Sequence, residues 1–504
     1  VRNKGKAMLV IVSDLHLTDG TTGMTVSPGA FHIFAERLQE LAQTASWRGD
    51  GSYRPIDQID LVLLGDVLDV IRSTQWNSQQ SIRPWSGTDA PEFAAQISQI
   101  TESILVNNEE SLALLRSLNG EQSIRVTPAL RNGRPAAGPT QPVPVRIHYM
   151  TGNHDWFFHL PGAPWNAIRR QIVEQMGLAS PADQPFPHDI NENDELLQAM
   201  RRHKVTARHG DQFDPFNFEG DRDTSSLGDV IVIELLNRFS VEVEKQLGEE
   251  LPVSTVLGLR ELDNVRPLLL VPVWIDGLLE RTCILPAIRK RVKNVWDRIV
   301  DDFLAIDFVR QRDSWSPNDL VDGLQRALKF SKRLSIGWAS ATLAWLNSIR
   351  GSTTSSYAAM AMSEPDFRNR RSKHIVYGHT HAVESVPLDA SYAEGYVLNQ
   401  MYFNSGTWRR VHRQTHLAPN EHEFIADDAM TYLAFFQSDE RRGRPYETWS
   451  GTLGFSPSEV PIHRIDPGRP HATGEPLSAS SLHGHAPHFT AASRAAGRVP
   501  ASRQ

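Results

Sequence analysis

Eleven side chains with metal-binding or acid–base chemistry fall in five tight groups along this chain. They are Asp14 and His16; Asp66 and Asp69; Asn153, His154 and Asp155; His209 and Asp211; and His379 and His381. Carboxylates, imidazoles and one amide oxygen form a donor set for borderline divalent ions such as Mn, Fe, Zn, Co or Ni. Asp14, His16, Asp66, Asn153, His209, His379 and His381 are too many for one ion of ordinary coordination. They suit two ions that share a carboxylate.

Each group stands directly behind a short apolar run. The runs are Ala7 to Val12, Ile59 to Leu64, Arg146 to Met150, Val205 to Arg208 and His374 to Tyr377. Short apolar runs closed by turn residues read as buried strands. Ligands of open α/β sheets gather at the carboxyl ends of strands, so five such ends predict one shared metal centre. Asp14 and His16 are two apart, which on a regular strand turns them to the same side. Gly65 permits a tight turn ahead of Asp66.

The 504 residues exceed one simple core, which predicts a catalytic domain enlarged by insertions, or two domains. With 40% hydrophobic and 22% charged residues, the composition is that of a soluble globular protein. A net charge of -7 gives no strong nucleic-acid signal. The single cysteine, Cys283, excludes an internal disulfide framework and a cysteine-based zinc site. Neither a secretory signal nor a transmembrane segment is expected. The run after the basic Val1 to Lys6 is strand-sized, and Leu268 to Trp274 is too short to span a bilayer. A cytoplasmic location is the default.

Between the groups, Phe31, Phe34, Leu38 and Leu41 have helical spacing. Residues 71–144 read as an insertion, helical from Pro91 to Leu118 and then an exposed Pro/Gly-rich loop from Thr127 to Pro144. From 227 to 370 the pattern is helical, with Leu235, Leu236, Phe239, Trp274, Trp296, Phe303, Phe308, Leu324, Leu328, Trp338 and Trp345 as apolar anchors and Gly351 to Ser356 as an exit. Tyr402 to Trp408 and Met430 to Phe436 read as late strands. The tail, 465–504, lacks the apolar residues to order itself.

In order, the five groups spell D-x-H, GD-x-x-D, GNHD, HGD and GH-x-H. That sequence closely resembles the calcineurin-like metallophosphoesterase superfamily over residues 7–220 and roughly 374–440. The resemblance implies an α/β (α+β) fold of two mixed β-sheets packed as a sandwich and flanked by helices. Here that domain would run over 7–226 and 371–464, with 227–370 as a helical insertion. It also implies a metal-dependent phosphoesterase that cleaves a phosphodiester, phosphomonoester or pyrophosphate by attack of a hydroxide held between two metals. Such a pair neutralises the phosphoryl oxygens and acidifies water. Asp14, His16 and His381 would hold the first metal and Asn153, His209 and His379 the second, with Asp66 bridging and Mn the first choice of ion. His154 would sit beside the substrate phosphate as the catalytic imidazole, with Asp155 orienting its ring. The substrate would be a small or nucleotide-like phosphorylated molecule. Val67 and Asp155 depart from the Arg and Glu usual in protein Ser/Thr phosphatases. Ser13 to Leu17 matches the opening of lipid-A-type UDP-sugar pyrophosphatases, which carry Gly-Asn-Arg-Asp where this chain has Gly-Asn-His-Asp. The alternative is a catalytically inactive member of the same fold acting as a binding or scaffold protein.

Asp69 reads either as an outer support or as a helix cap. Asp211 is expected to support His209 or Asn153 by hydrogen bonding. His148 and His374 read as strand histidines, and the case for His203, His412 and His416 as ligands is weak. His483, His485 and His488 belong to the tail. Arg281, Arg289, Lys290, Arg291 and Lys293 form either a second phosphate site or a solvated helix face, the latter favoured. The insertion is expected to cap the metal centre as a separable unit, although aromatics at helical spacing usually pack.

Overall fold

In the computed structural model the described residues are 7–78, 82–120, 123–283, 285–312, 324–326, 328, 357–393, 396–415 and 424–452. Trp338, Trp345, the Gly351 to Ser356 exit, His416 and the expected tail with His483, His485 and His488 lie outside them.

All five apolar runs are strands: β1 (Ala7–Val12), β2 (Gln58–Leu64), β5 (Val145–Met150), β6 (Val205–Ala207) and β8 (His374–Tyr377). Two short strands, β3 (Arg125–Val126) and β4 (Gln141–Pro142), pair with each other at the ends of the expected exposed loop. The remaining strands are β7 (Val265–Arg266), β9 (Val383–Ala393), β10 (Tyr396–Ser405), β11 (Arg410–Gln414), β12 (Phe424–Phe435) and β13 (Tyr446–Thr452). The late strands thus contain most of the two expected runs.

The fold class is mixed α/β. A seven-stranded sheet runs β5-β2-β1-β12-β11-β7, with β13 on the other side of β12. Within it β5, β2 and β1 are parallel, and β12 returns antiparallel against β1. A four-stranded sheet runs β6-β8-β10-β9, its first three strands parallel. Alternation along β1 sends its side chains to two cores. Leu9 and Ile11 join Val62, Leu64 and Met150, together with Val205, Ala207, Val376 and Phe403 of the smaller sheet, in one buried cluster. Met8, Val10 and Val12 face the other way, onto Phe31, Phe34, Leu38 and Leu41 of the helix Pro28–Ala45. Burial on both faces is why β1 and β2 read as near-continuous apolar runs. Truncating Leu9 to Ala would cost about 2–5 kcal/mol by the usual transfer and cavity terms.

The helical stretch expected from Pro91 to Leu118 is two helices, Pro91–Asn107 and Glu109–Ser117. They break at Asn108, whose side-chain amide donates to the carbonyl of Thr18 at 2.8 Å.

Segment 227–370 opens on a helix. Ser226 and Asp229 form a reciprocal capping box that starts the helix at Leu227. The chain then makes a π-helix over Ile231–Asn237 and helices at Arg238–Leu247, Val253–Arg260, Val271–Thr282 and Pro286–Ala305. The expectation of a separable unit is corrected by the packing. Leu235, Phe239, Trp274, Trp296 and Phe303 share one hydrophobic cluster with Met8 and Val10. Strand β7 pairs with β11, Val265 opposite His412, so the segment extends the large sheet itself. Buried Asp263 pairs with Arg72 at 3.1 Å and Arg409 at 3.2 Å, both outside the segment. No helix among the described residues is long and apolar enough to cross a membrane.

Candidate metal centre

The carboxyl ends of β1, β2, β5, β6 and β8 place Asp14, Asp66, Asn153, His209 and His379 in one buried patch, with His16 and His381 two residues further on. Asp14 and His16 do not converge by strand alternation, since β1 ends at Val12. They converge because both are left-handed, with φ of 54° and 45°, and the peptide N–H groups of Asp14 and His16 bond the carbonyls of Gly65 and Asp66. Asp66, His379 and His381 are left-handed too, at 52°, 69° and 57°. Left-handed backbone in a non-glycine residue costs roughly 1–3 kcal/mol and collects at functional sites. Five instances in one patch mean that the surrounding strands over-determine it.

Glycine is required where backbones close in. A Cβ on Gly378 would lie 2.7 Å from Oδ2 of Asp14 and 2.9 Å from Oγ of Ser13. A Cβ on Gly65 would meet Nδ1 of His209 at 2.5 Å, and φ there is +83°.

Two groups of donor atoms result. Asp14, His16 and His381 form one, and Asp66, His209 and His379 the other. In the first, Nε2 of His381 is 3.3 Å and Nε2 of His16 3.8 Å from Oδ1 of Asp14. In the second, Nε2 of His209 is 3.2 Å from Oδ2 of Asp66, and Oδ1 of Asn153 is 3.2 Å from Nε2 of His209 and 2.9 Å from Nδ1 of His379. Asp66 belongs to both: its Oδ1 accepts the backbone N–H of His154 at 2.8 Å, and its Oδ2 also stands 3.6 Å from Nε2 of His16.

These residues fit cations. Oδ1 of Asp14 is buried and accepts no hydrogen bond, an expensive state for a carboxylate without a positive partner. Nδ1 of His16 faces Oδ2 of Asp69 at 2.7 Å, which turns the lone pair at Nε2 inward. Nδ1 of His209 donates to the carbonyl of Leu64 at 2.9 Å, with the same effect. The other ring nitrogen of His379 meets Oδ2 of Asp214 at 3.0 Å. His381 stands apart, because Arg266 donates to its Nδ1 at 3.1 Å.

The charges respond to this crowding. Burial opposes ionisation of Asp66, but the imidazolium charges of His209 and His154 outweigh it and hold the carboxyl far below its ordinary range. Burial likewise opposes the charge on His209, and Asp66 overrides it, raising the ring to about 10. His154 is raised to about 9 against burial by Asp69 and Asp66. Burial, then the Arg266 charge, hold His381 well below the ordinary histidine value.

Two supporting roles differ from expectation. Asp155 does not touch the His154 ring. It accepts the backbone N–H groups of Gly152 at 2.6 Å and Val67 at 2.9 Å, and the hydroxyl of Tyr149 at 2.6 Å. It therefore shapes the loop that carries Asn153 and His154. The ring of His154 is held at Nδ1 by Oδ1 of Asp69 at 2.7 Å. Asp69 is thus the outer support and not a helix cap; its Oδ1 also takes the N–H of Arg72 within a turn, at 3.1 Å. Asp211 bonds neither His209 nor Asn153. It pairs with Arg222 at 2.7 Å. Sequence reasoning missed Asp214 and Arg266; neither sits behind a strand with a recognisable neighbour.

The centre opens into a cavity of about 380 Å³. Asp66, Asn153, His154, His379 and His381 line one side, and Ile231, Val232, Leu235 and Leu236 of the π-helix line another. Arg266 also reaches it. The described part of segment 227–370 therefore both packs into the core and lines the cavity over the centre.

The described histidines with a weak sequence case as ligands, His148, His203, His374 and His412, are structural. His148 pairs with Asp60 at 3.3 Å, His203 bonds backbone carbonyls of Ala199 and Ala7, and the His412 ring lies 4.2 Å from that of Trp274. His374 packs against Phe435. Of the basic stretch, Arg289 bonds the Cys283 carbonyl, Arg291 pairs with Glu250 and Lys293 with Asp297. That is a paired, solvated face.

No family model and no curated protein matches the chain.

Proposed function

We propose that this chain is a metal-dependent phosphoesterase of the calcineurin-like metallophosphoesterase superfamily, hydrolysing a phosphoester at a two-metal centre. One observation carries the reading: the seven nominated ligands, drawn from five strand ends, meet in two donor groups joined through Asp66. The two sheets that share a buried cluster suit the paired-sheet architecture of that superfamily.

Asp14, His16 and His381 would hold one ion and Asn153, His209 and His379 the other, with Asp66 shared by the two groups. Mn is the first choice among the borderline ions. Bound there, two ions would neutralise phosphoryl oxygens and acidify water. The chain's own groups do the rest. Asp69 fixes His16 and His154 with its two oxygens, so one carboxylate aligns a ligand and the proposed acid. His154, held at Nδ1 by Asp69, would present Nε2 to the oxygen that leaves. Arg266 places a guanidinium at the cavity, where it can take a phosphoryl oxygen. The apolar π-helix wall excludes water and favours a leaving group with a greasy or aromatic part. A substrate panel tests the reading. Mono-, di- and pyrophosphate esters carrying polar or apolar alcohols would be compared with metal present and removed. Absence of metal-dependent turnover across the panel would refute it. A cytoplasmic setting fits the one cysteine, Cys283, which is buried as a free thiol.

A further inference from the structure

Away from the Asp66 centre, His159, His188 and Asp223 bring one donor atom each to within 4.8 Å of one another. They come from three stretches: the short turn Trp156–His159, the loop before Ile190 and the loop before Leu227. Nδ1 of His159 lies 2.7 Å, and Nε2 of His188 3.0 Å, from the same atom, Oδ1 of Asp223.

The outer ring nitrogens of both histidines are held by oxygens. The hydroxyl of Thr151 donates to the carbonyl of Pro187 at 3.4 Å and stands 2.7 Å from Nδ1 of His188. That hydroxyl holds the outer ring nitrogen whichever of the two is the donor. Nε2 of His188 is thereby aimed at the carboxylate of Asp223. Arg222 donates to the His188 carbonyl at 2.9 Å, which fixes its backbone. His159 is also held from outside, by a carboxylate and not a hydroxyl. Its outer nitrogen, Nε2, lies 3.5 Å from Oε2 of Glu192, and its inner one faces Asp223. Outer nitrogens held by oxygens, with inner ones converging, is how metal-bound imidazoles are supported. The cluster is also reachable, since the side chain of Asp223 is 34% exposed against 7% for His188.

We propose that His159, His188 and Asp223 form a further divalent-cation site, separate from the Asp66 centre, taking one zinc-like ion through Nδ1, Nε2 and the carboxylate, with water completing the shell. Two imidazoles, one carboxylate and an open position suit zinc before the harder ions. The inference stands independently of the hydrolase reading. Its structural consequence is local. Thr151 precedes Gly152 and Asn153, and Arg222 joins the carbonyls of Thr151 and His188 to the carboxylate of Asp211. An ion here ties the Asn153 loop to the turn after His209.

The test counts metal in the full chain. Protein stripped with chelator, reloaded with micromolar zinc and gel-filtered is analysed for zinc per chain. His159→Ala/His188→Ala should carry one ion fewer than wild type. A chain disabled in the main centre, Asp14→Asn/His209→Ala, should keep an ion that disappears when His188→Ala is added. Equal zinc in wild type and His159→Ala/His188→Ala overturns the site. Should the alanine variant fail to fold, the near-isosteric Asp223→Asn decides: zinc affinity at this site falls at least ten-fold if the site is real, and unchanged affinity overturns it.

Discussion

Nδ1 of His154 lies 2.7 Å from Oδ1 of Asp69, a residue 85 positions earlier that follows a different strand. The carboxylate next to His154 in sequence, Asp155, is spent on backbone N–H groups and Tyr149. Asp69 therefore sets both the orientation and the charge of the proposed acid. Burial works against a proton on His154, and Asp69 with Asp66 raises it to about 9. Asp69→Asn removes a raising charge, so the limb of the pH–rate profile that needs protonated His154 should move to lower pH. Turnover at neutral pH should fall about 10²-fold, most for esters with poor leaving groups. Asp155→Asn should move the thermal midpoint more than that limb. A shifted limb in Asp155→Asn and none in Asp69→Asn would reverse the two roles.

The His209–Asp66 contact gives a pH dependence to metal uptake. His209 is raised to about 10, burial opposing and Asp66 prevailing. That is above the ordinary histidine value, so in the metal-free chain its stabilising charge pair is complete below about 6.5 and fades as pH rises through about 10. Ligation needs the neutral ring, so affinity moves the other way. It should rise by about tenfold per pH unit for each proton displaced. Calorimetry at pH 7 to 9, in buffers of differing ionisation enthalpy, should report at least one proton released on loading. Heats independent of buffer would contradict this.

Arg266 occupies Nδ1 of His381, and ligation by Nε2 requires a proton at that same Nδ1. Metal loading should therefore turn the guanidinium toward the cavity. Arg266→Ala should keep both ions yet lower kcat/KM roughly 10- to 100-fold, the size usual for losing a hydrogen bond to a charged group. Loss of metal in this variant would show that Arg266 holds the centre together and does not serve the substrate.

Removing residues 230–365 should not yield a folded metal-binding core, because Asp263, within them, neutralises buried Arg72 and Arg409. Asp263→Ala alone should cost about 3–5 kcal/mol, the usual penalty for leaving a buried charge without its partner. Denaturant unfolding measures it; a change below about 1 kcal/mol would show that the two arginines find other partners.

The strands and their ligands were legible in the sequence because both signals are local. An apolar run such as Ala7 to Val12 announces a strand, and Asp14 behind it announces its chemistry. The left-handed turns at Asp14 and His16 were not legible, since nothing in Ser-Asp-Leu-His requires positive φ. The partners of His154, His379 and His381 were hidden for another reason. Asp69, Asp214 and Arg266 reach them across long sequence distances, and only packing decides which acid or base arrives. The π-helix wall was read as an ordinary helical face, and the pairing of β7 with β11 left no trace in a two-residue strand.

The central claim, two metals joined by Asp66 performing phosphoester hydrolysis, is tested most directly by Asp66→Asn. Turnover of a chromogenic phosphodiester would be measured alongside zinc or manganese content, in wild type loaded, wild type stripped, and the variant loaded. The account predicts turnover in the loaded wild type, its loss on stripping with recovery on reloading, and a fall of at least about 10³-fold in a folded Asp66→Asn chain. Undiminished turnover in Asp66→Asn, or in the stripped wild type, would contradict it.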